Sequence, residues 1–526
     1  MTIGNSDSAT GGSDAVARGT EGQGAGAARS HGGETGERPQ AAPAGARGAG
    51  GNGSRATTAG LLGAAALTGL ILILPTPEGL PPEAHRLAAL FAGVLVLWST
   101  EALPIAVTSL LALALQPLFG LTSLVSGRPP TPGAIFGAAA ANFMSSVFFF
   151  VLVMFAIAYA WVKTGLARRF ALWLIARAGT DATRAVYVFM IGTGAISMVV
   201  SDVPAAAIFM AIAVGILDKL GLRPGSQFGR AVMIGIPIAA LIGGVGTPAG
   251  SSINLLGLVM IEQAGGERVP FLHWMAIGIP MVAILLPAAA WVLVKFFPPE
   301  VASIGDLEEI HDERRRIGPV SRAEWKVIAI MSAMITLWIA STWLPVFDTF
   351  LVAVVGAVAM FLPGIGLFTW KEIQQVTGWD TLMVIGGVTS LGQASSRTGL
   401  ATWLAESALG GLADWNAVAL IAAISAFTVV IHLMLPIAPV INAVMIPPIM
   451  VLGAAAGVNP ALYALPVIFT ASCAFLLPLD AVPLVTYSRG YYRMFDMLPP
   501  GLVISAVWVV LMTALLIVIG PLVGLL

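Results

Sequence analysis

Asp202, inside SMVVSDVPAAAIFMA, and Asp480, inside CAFLLPLDAVPLVT, are carboxylates set in otherwise apolar stretches. Each stretch is interrupted by proline, and the two lie in different halves of the chain. A charge at bilayer depth costs at least a few kcal/mol and is retained where it lines a cavity, binds an ion or carries a proton. Interrupted helices at corresponding positions of two halves are the best sequence pointer to a transporter's binding site. The chemistry open to these residues is ion coupling. Carboxylate oxygens suit a hard cation such as sodium, and a carboxyl taken out of water can also carry a proton. A full negative charge at ~4 Å repels an anion by about 4 kcal/mol at an effective dielectric of about 20. An empty cation site would therefore reject an anionic substrate, which amounts to strict coupling.

The elements that position these acids must be membrane helices. Of 526 residues, 57% are hydrophobic and 10% charged. A soluble chain carries roughly 25% charged residues, so the composition implies an all-α polytopic membrane protein. The net charge of -1 gives no sign of nucleic-acid binding. Cys473 is the single cysteine, which excludes an internal disulfide and a multi-cysteine metal site. His31, His85, His273, His311 and His432 have no metal-ligand spacing. With no phosphate-binding loop and no soluble catalytic domain, neither an enzyme nor a resident cofactor is expected. Residues 1–56 are rich in Gly, Ala, Ser and Arg and lack an apolar run, which predicts a disordered tail.

A spanning helix needs ~20 mostly apolar residues. Stretches of that kind lie at 58–75, 86–100, 102–120, 143–163, 271–297, 325–343, 348–363, 380–396 and 501–525. Four longer stretches carry internal breaks. Of these, 183–220 and 414–455 suit re-entrant helical hairpins, and 228–262 and 460–488 suit helices unwound at mid-membrane. Lys163-Thr164-Gly165-Leu166-Ala167 recurs as Arg397-Thr398-Gly399-Leu400-Ala401, each followed by an amphipathic segment, a hairpin candidate and a broken helix. This shared order points to two repeats. Arg168, Arg169, Arg177, Arg184, Lys219, Arg223 and Arg230 flank the first hairpin, whereas Glu406 and Asp414 flank the second. By the positive-inside rule the first opens to the cytoplasm and the second to the exterior, so the repeats are inverted and the N-terminus is cytoplasmic. Gly192, Gly194, Gly386 and Gly387 are points of close helix approach. Glu101 and Asp380 begin spans and are read as interfacial, and His432 as a packed, hydrogen-bonded side chain.

Several stretches resemble the divalent anion/sodium symporter family, the relatives of the sodium–dicarboxylate, citrate and sulfate carriers. They are Trp98-Ser99-Thr100-Glu101-Ala102-Leu103-Pro104, the two T-G-L-A segments, Gly243-Gly244-Val245-Gly246-Thr247-Pro248, and Ser472-Cys473-Ala474-Phe475-Leu476-Leu477-Pro478. The resemblance implies about eleven spans, two re-entrant hairpins, a homodimer in the cell membrane, and elevator-type movement of transport elements against a scaffold. It divides the chain into a cytoplasmic tail (1–56), scaffold spans (57–142), first-repeat transport elements (143–262), scaffold spans with a cytoplasmic linker at 298–326 (263–379), second-repeat transport elements (380–488) and a C-terminal span (489–526). Members of that family carry Ser-Asn-Thr at each hairpin tip. Here the tips read Ser201-Asp202-Val203-Pro204 and Pro436-Ile437-Ala438-Pro439-Val440. Carried onto this chain, the anion falls to Ser201, Val203, Thr247, Pro248 and Asn254 in the first half and to Pro436, Ala438, Pro439 and Val482 in the second. The coupling cation, sodium or a proton, falls to Ser201, Asp202, Gly246, Ala438 and Asp480, with Asp202 and Asp480 as sodium ligands. The expected function is secondary transport of a small di- or tricarboxylate, sulfate or similar anion. The alternative is a sodium/proton antiporter using Asp202 and Asp480.

Overall fold

A computed structural model describes residues 52–127, 129–304, 312, 315–412 and 414–525. Most of the 1–56 tail lies outside these residues, as do Asp306, Glu308, Glu309 and Arg314 of the 298–326 linker. The described chain is helical and contains no strand beyond an isolated bridge between Asp181 and Ser303. Eight of its helical segments are long and apolar enough to cross a membrane.

Helix α1 (Asn52–Ile73) packs along α2 (Pro82–Thr100), which is followed by α3 (Ile105–Leu118). Next come α4 (Pro132–Phe143) and α5 (Ser146–Lys163), separated by a break at Met144-Ser145. The apolar pattern predicts no element at α4, whose PGAIFGAAAANF is short and alanine-rich. It nevertheless packs on α3, with Thr131 capping its first turn.

α6 (Leu166–Ala178) leads into α7 (Ala182–Val200) and α8 (Asp202–Lys219), which pack on each other across a single residue, Ser201. α9 (Gln227–Gly244) and α10 (Ser252–Gln263) form one interrupted helix, with a short 3-10 turn at Pro248–Gly250 between them. α11 (Phe271–Phe296), α12 (Arg322–Ala340) and α13 (Thr349–Ala359) follow. The last part contains α14 (Trp370–Val376), α15 (Trp379–Thr398), α16 (Leu400–Leu404), α17 (Ala417–Ile431), α18 (Ala438–Ala455), α19 (Ala461–Ala471), α20 (Ala481–Tyr487) and α21 (Leu498–Ile519).

The recurring T-G-L-A has a conformational cause. Gly165 (φ 82°, ψ 0°) and Gly399 (φ 85°, ψ 6°) adopt the same left-handed geometry after α5 and α15. Glycine reaches that region without a Cβ penalty, and a new helix starts at Leu166 and at Leu400.

Packing then crosses between the halves. α10 lies against α18 and α19, while α20 lies against α8 and α9. Each interrupted helix thus sends its second segment to the other half's helix pair, and this brings the breaks around one centre.

An ion pair secures the end of α5. Lys163 Nζ lies 2.5 Å from Glu372 Oε1, and Thr369 N donates to Glu372 Oε2 at 2.7 Å. The lysine first, and the Thr369 amide second, hold the Glu372 pKa at about 2 rather than 4.5. A carboxylate with a lowered folded-state pKa stabilises the fold above its unfolded value, and that contribution is lost as the pH falls toward the folded value. Lys163→Met should therefore lower the melting temperature of detergent-solubilised protein at about pH 6 and make much less difference near about pH 2. Equal melting at every pH would show that the pair does not contribute.

Candidate functional site

A cavity of about 350 Å³ opens where the four breaks meet. From the first half its wall takes Ser201, Asp202 and Val203 at the α7–α8 junction and Ser251 at the start of α10. From the second it takes Pro436, Ala438 and Pro439 at the start of α18, and Asp480 and Val482 at the start of α20. Both membrane acids therefore face one chamber.

The first break is held by polar side chains that satisfy backbone freed by unwinding. Trp274 Nε1 donates to the Val245 carbonyl at 2.8 Å. Asn254 Nδ2 donates to the Gly244 carbonyl at 2.8 Å and to the Thr247 carbonyl at 3.1 Å. Thr247 Oγ1 donates to the Met198 carbonyl at 2.7 Å. Irregular backbone at membrane depth persists where such partners exist. Thr247, Pro248, Asn254 and Gly246 are consequently absent from the cavity wall and serve as its support. Asn254 Oδ1 remains: it is fully buried and has no hydrogen-bond partner.

Asp202 is 6% exposed. Ser197 Oγ lies 2.7 Å from its Oδ1 and 2.8 Å from the Ala240 carbonyl, and the Ser251 hydroxyl also faces the carboxyl. Gly244 packs against this group, and any Cβ there would run into it. The carboxyl, the two serine hydroxyls and the nearby Ala240 carbonyl form a donor set suited to a hard cation.

Ser201 carries the backbone cost of this arrangement. Its φ of 85° and ψ of 158° occupy a region that belongs almost entirely to glycine. Strain of this kind costs on the order of 1–3 kcal/mol and persists when the surroundings enforce it. Ser201→Gly should raise stability by about 1 kcal/mol while weakening binding at the tip. A thermal melt combined with a transport assay checks this, and a melt that falls would remove the strain argument.

Asp480 is a helix cap in part: Val482 N donates to its Oδ1 at 3.2 Å. Its Oδ2 lies 3.8 Å from His432 Nε2. That spacing is too long for a hydrogen bond. His432 is 4% exposed and packs with its ring beside the Ala471 backbone.

Two acids read as interfacial also reach the cavity. Glu101 ends α2 in a left-handed conformation (φ 48°), and Asp380 lies in the first turn of α15. Both are exposed, as residues at an open mouth would be. Ser251 and Ser472 are further wall residues that the tip motifs do not mark. No Lys or Arg lines the chamber among the described residues.

Residues 55–526 match the family described as the sodium:sulfate symporter transmembrane region. The chain belongs to this family. The family-level resemblance carried by the sequence motifs is thereby confirmed, and the protein is a multi-pass membrane transporter. A membrane protein of Cupriavidus necator is 31% identical over 432 residues, covering 80% of this chain and 84% of the relative. The sodium-dependent dicarboxylate transporter SdcS of Staphylococcus saprophyticus is 28% identical over 477 residues, covering 86% and 88%. Among solved structures, the YdaH transporter of Alcanivorax borkumensis superposes with a TM-score of 0.53 at 14% identity, covering 80% of this chain and 99% of its own. MtrF of Neisseria gonorrhoeae does so with a TM-score of 0.52 at 13% identity, covering 86% and 96%. At these identities the structural likeness concerns the fold of this symporter-family member, and the site must be argued from its own residues.

Proposed function

We propose that the protein is a secondary carrier that moves a small dicarboxylate or similar anion together with sodium. The observation that carries this reading is the oxygen cluster at the first break. Asp202, Ser197 and Ser251 offer a cation a site beside the chamber. The names of the SdcS relatives support the same cargo and ion. A volume of about 350 Å³ lies within the roughly 300–1,000 Å³ typical of small-molecule sites. With no basic side chain on the wall, the anion is balanced by the bound cation and by the unpaired N–H groups at the starts of α8 and α18.

In this reading Ser201, Val203, Pro436, Ala438, Pro439 and Val482 bound the substrate. The two halves are inverted repeats whose helix pairs α7–α8 and α17–α18 re-enter the membrane from opposite faces, within an arrangement of about eleven spans. They move as a transport body against α1–α3 and α11–α13, in an elevator-type cycle within a homodimer whose N-terminus is cytoplasmic.

The four acids Glu101, Asp202, Asp380 and Asp480 on the chamber favour a second reading, exchange of sodium for protons without an anion. Uptake into proteoliposomes separates the two. Succinate, citrate, sulfate and phosphate are offered while sodium and pH gradients are varied independently. Sodium-driven uptake of at least one anion is expected. Sodium/proton exchange that persists with no anion uptake would replace the carrier with the antiporter.

A further inference from the structure

We propose that sodium is bound in the first half only, and that in the second half the His432 ring fills the space beside Asp480 that a second cation would need. This rests on the sodium-coupled reading above and specifies how many ions accompany each substrate.

The two acids sit in unlike surroundings. A hard cation takes several oxygen ligands at once. The Asp202 corner supplies them from the carboxyl itself and the hydroxyls of Ser197 and Ser251. Around Asp480 fewer side-chain oxygens are at hand. One carboxyl oxygen caps α20 through Val482 N, and the other faces the buried imidazole at 3.8 Å. The void next to the ring is about 10 Å³, room for about one water. Its wall is formed by Val429, His432, Leu433, the stretch 473–477 and Leu479, without a side-chain oxygen. The tip before α18, Pro436-Ile437-Ala438-Pro439, has no side-chain oxygen either. Among the described residues of α17–α20 and their connections, Ser472 supplies the single hydroxyl on the chamber wall. One hydroxyl and one uncapped carboxyl oxygen are fewer side-chain ligands than the first break supplies, and the imidazole takes the room for more. The second tip thus offers no side-chain oxygen, and the His432 ring stands beside Asp480 where further ligands would need to come.

The consequence is a coupling ratio of one sodium per substrate, which accumulation at equilibrium reads directly. With membrane potential clamped at zero and pH equal on both sides, a tenfold sodium gradient should support about tenfold accumulation of the transported anion, against about 100-fold for two ions. A binding measurement independent of transport accompanies it. Sodium should raise the melting temperature of purified wild type along a single-site curve. Asp480→Asn should keep the same half-saturating sodium, whatever becomes of its uptake rate, while Asp202→Asn should lose the sodium effect. Accumulation near about 100-fold, or loss of sodium stabilisation in Asp480→Asn, would overturn the single-site assignment and leave the carrier reading intact. Absence of any sodium effect on wild-type melting and uptake would instead bring down sodium coupling itself, and this inference with it. Should Asp480→Asn fail to fold, the wild-type accumulation ratio decides alone.

Discussion

Replacing Asp202 by Asn is expected to raise half-saturating sodium by on the order of 100-fold, or to abolish sodium dependence within the usable range. The Coulomb term for a carboxylate and a cation ~4 Å apart is about 4 kcal/mol at an effective dielectric of about 20. Part of that is offset because the neutral amide no longer bears the desolvation cost of a buried charge, which brings the expectation down from about 1,000-fold. The substitution is conservative for the fold. An Asn oxygen can still accept from Ser197, 2.7 Å away, and Ser197 keeps the Ala240 carbonyl as a second partner. Loss of sodium dependence would therefore report on the site and not on collapse, provided that the melting temperature without sodium is retained. Gly244→Ala makes the same point sterically. Its Cβ would displace the carboxyl while leaving the charge in place, so it should weaken sodium binding as well. Sodium titrations of substrate uptake check both. An unchanged half-saturation in Asp202→Asn would remove this carboxyl from the coupling site.

The breaks could be read from the sequence because membrane helices tolerate few exceptions. Proline and an acid in an apolar run mark Ser201 and Asp480, and the small-residue run Gly243-Gly244-Val245-Gly246 marks the end of α9. What could not be read was how the freed backbone would be satisfied. Thr247 and Asn254 looked like substrate ligands in one dimension, yet their hydroxyl and amide hydrogens go to carbonyls that the unwinding itself exposes. Only coordinates tell which carbonyls those are. The place of Glu101 and Asp380 on the cavity wall was hidden for a related reason: a helix end at the bilayer surface and one at the mouth of a polar chamber carry the same residue types. The approach of His432 to Asp480 lay outside reach because it joins residues 48 positions apart through the packing of the helices. Helix α4 escaped because twelve residues rich in alanine show neither the length of a span nor an amphipathic stripe. The two tips were informative by their departure from the Ser-Asn-Thr that the resemblance implies, since one reads Ser201-Asp202-Val203 and the other Ile437-Ala438 between prolines.

Gly243→Ala should be the most damaging single methyl in the transport elements, costing about 3 kcal/mol or preventing folding outright. Helices α7 and α9 are the most extensively packed pair in the structure, and they meet at Gly194 and Gly243. A Cβ on Gly243 would strike the carbonyl, Cα and carbonyl carbon of Gly194, all of them backbone atoms. A flexible side chain could swing away from such a clash, but a backbone cannot without moving its helix. Overpacking of this kind costs typically 1–3 kcal/mol, and more when the neighbour is rigid. The movement would not stay local. Ser197 lies one turn beyond Gly194, so separating the helices draws its hydroxyl off the Ala240 carbonyl and Asp202. A stability defect and a sodium-binding defect should therefore appear together in whatever Gly243→Ala protein is recovered. Gly215→Ala is the matched control. It lies within α8 with nothing inside 4 Å of the new methyl, so it should gain up to about 1 kcal/mol of helix propensity. Yield and melting temperature of the two variants, purified in parallel, test the contrast, and a Gly243→Ala protein as stable as wild type would mean that α7 and α9 do not rely on this backbone approach.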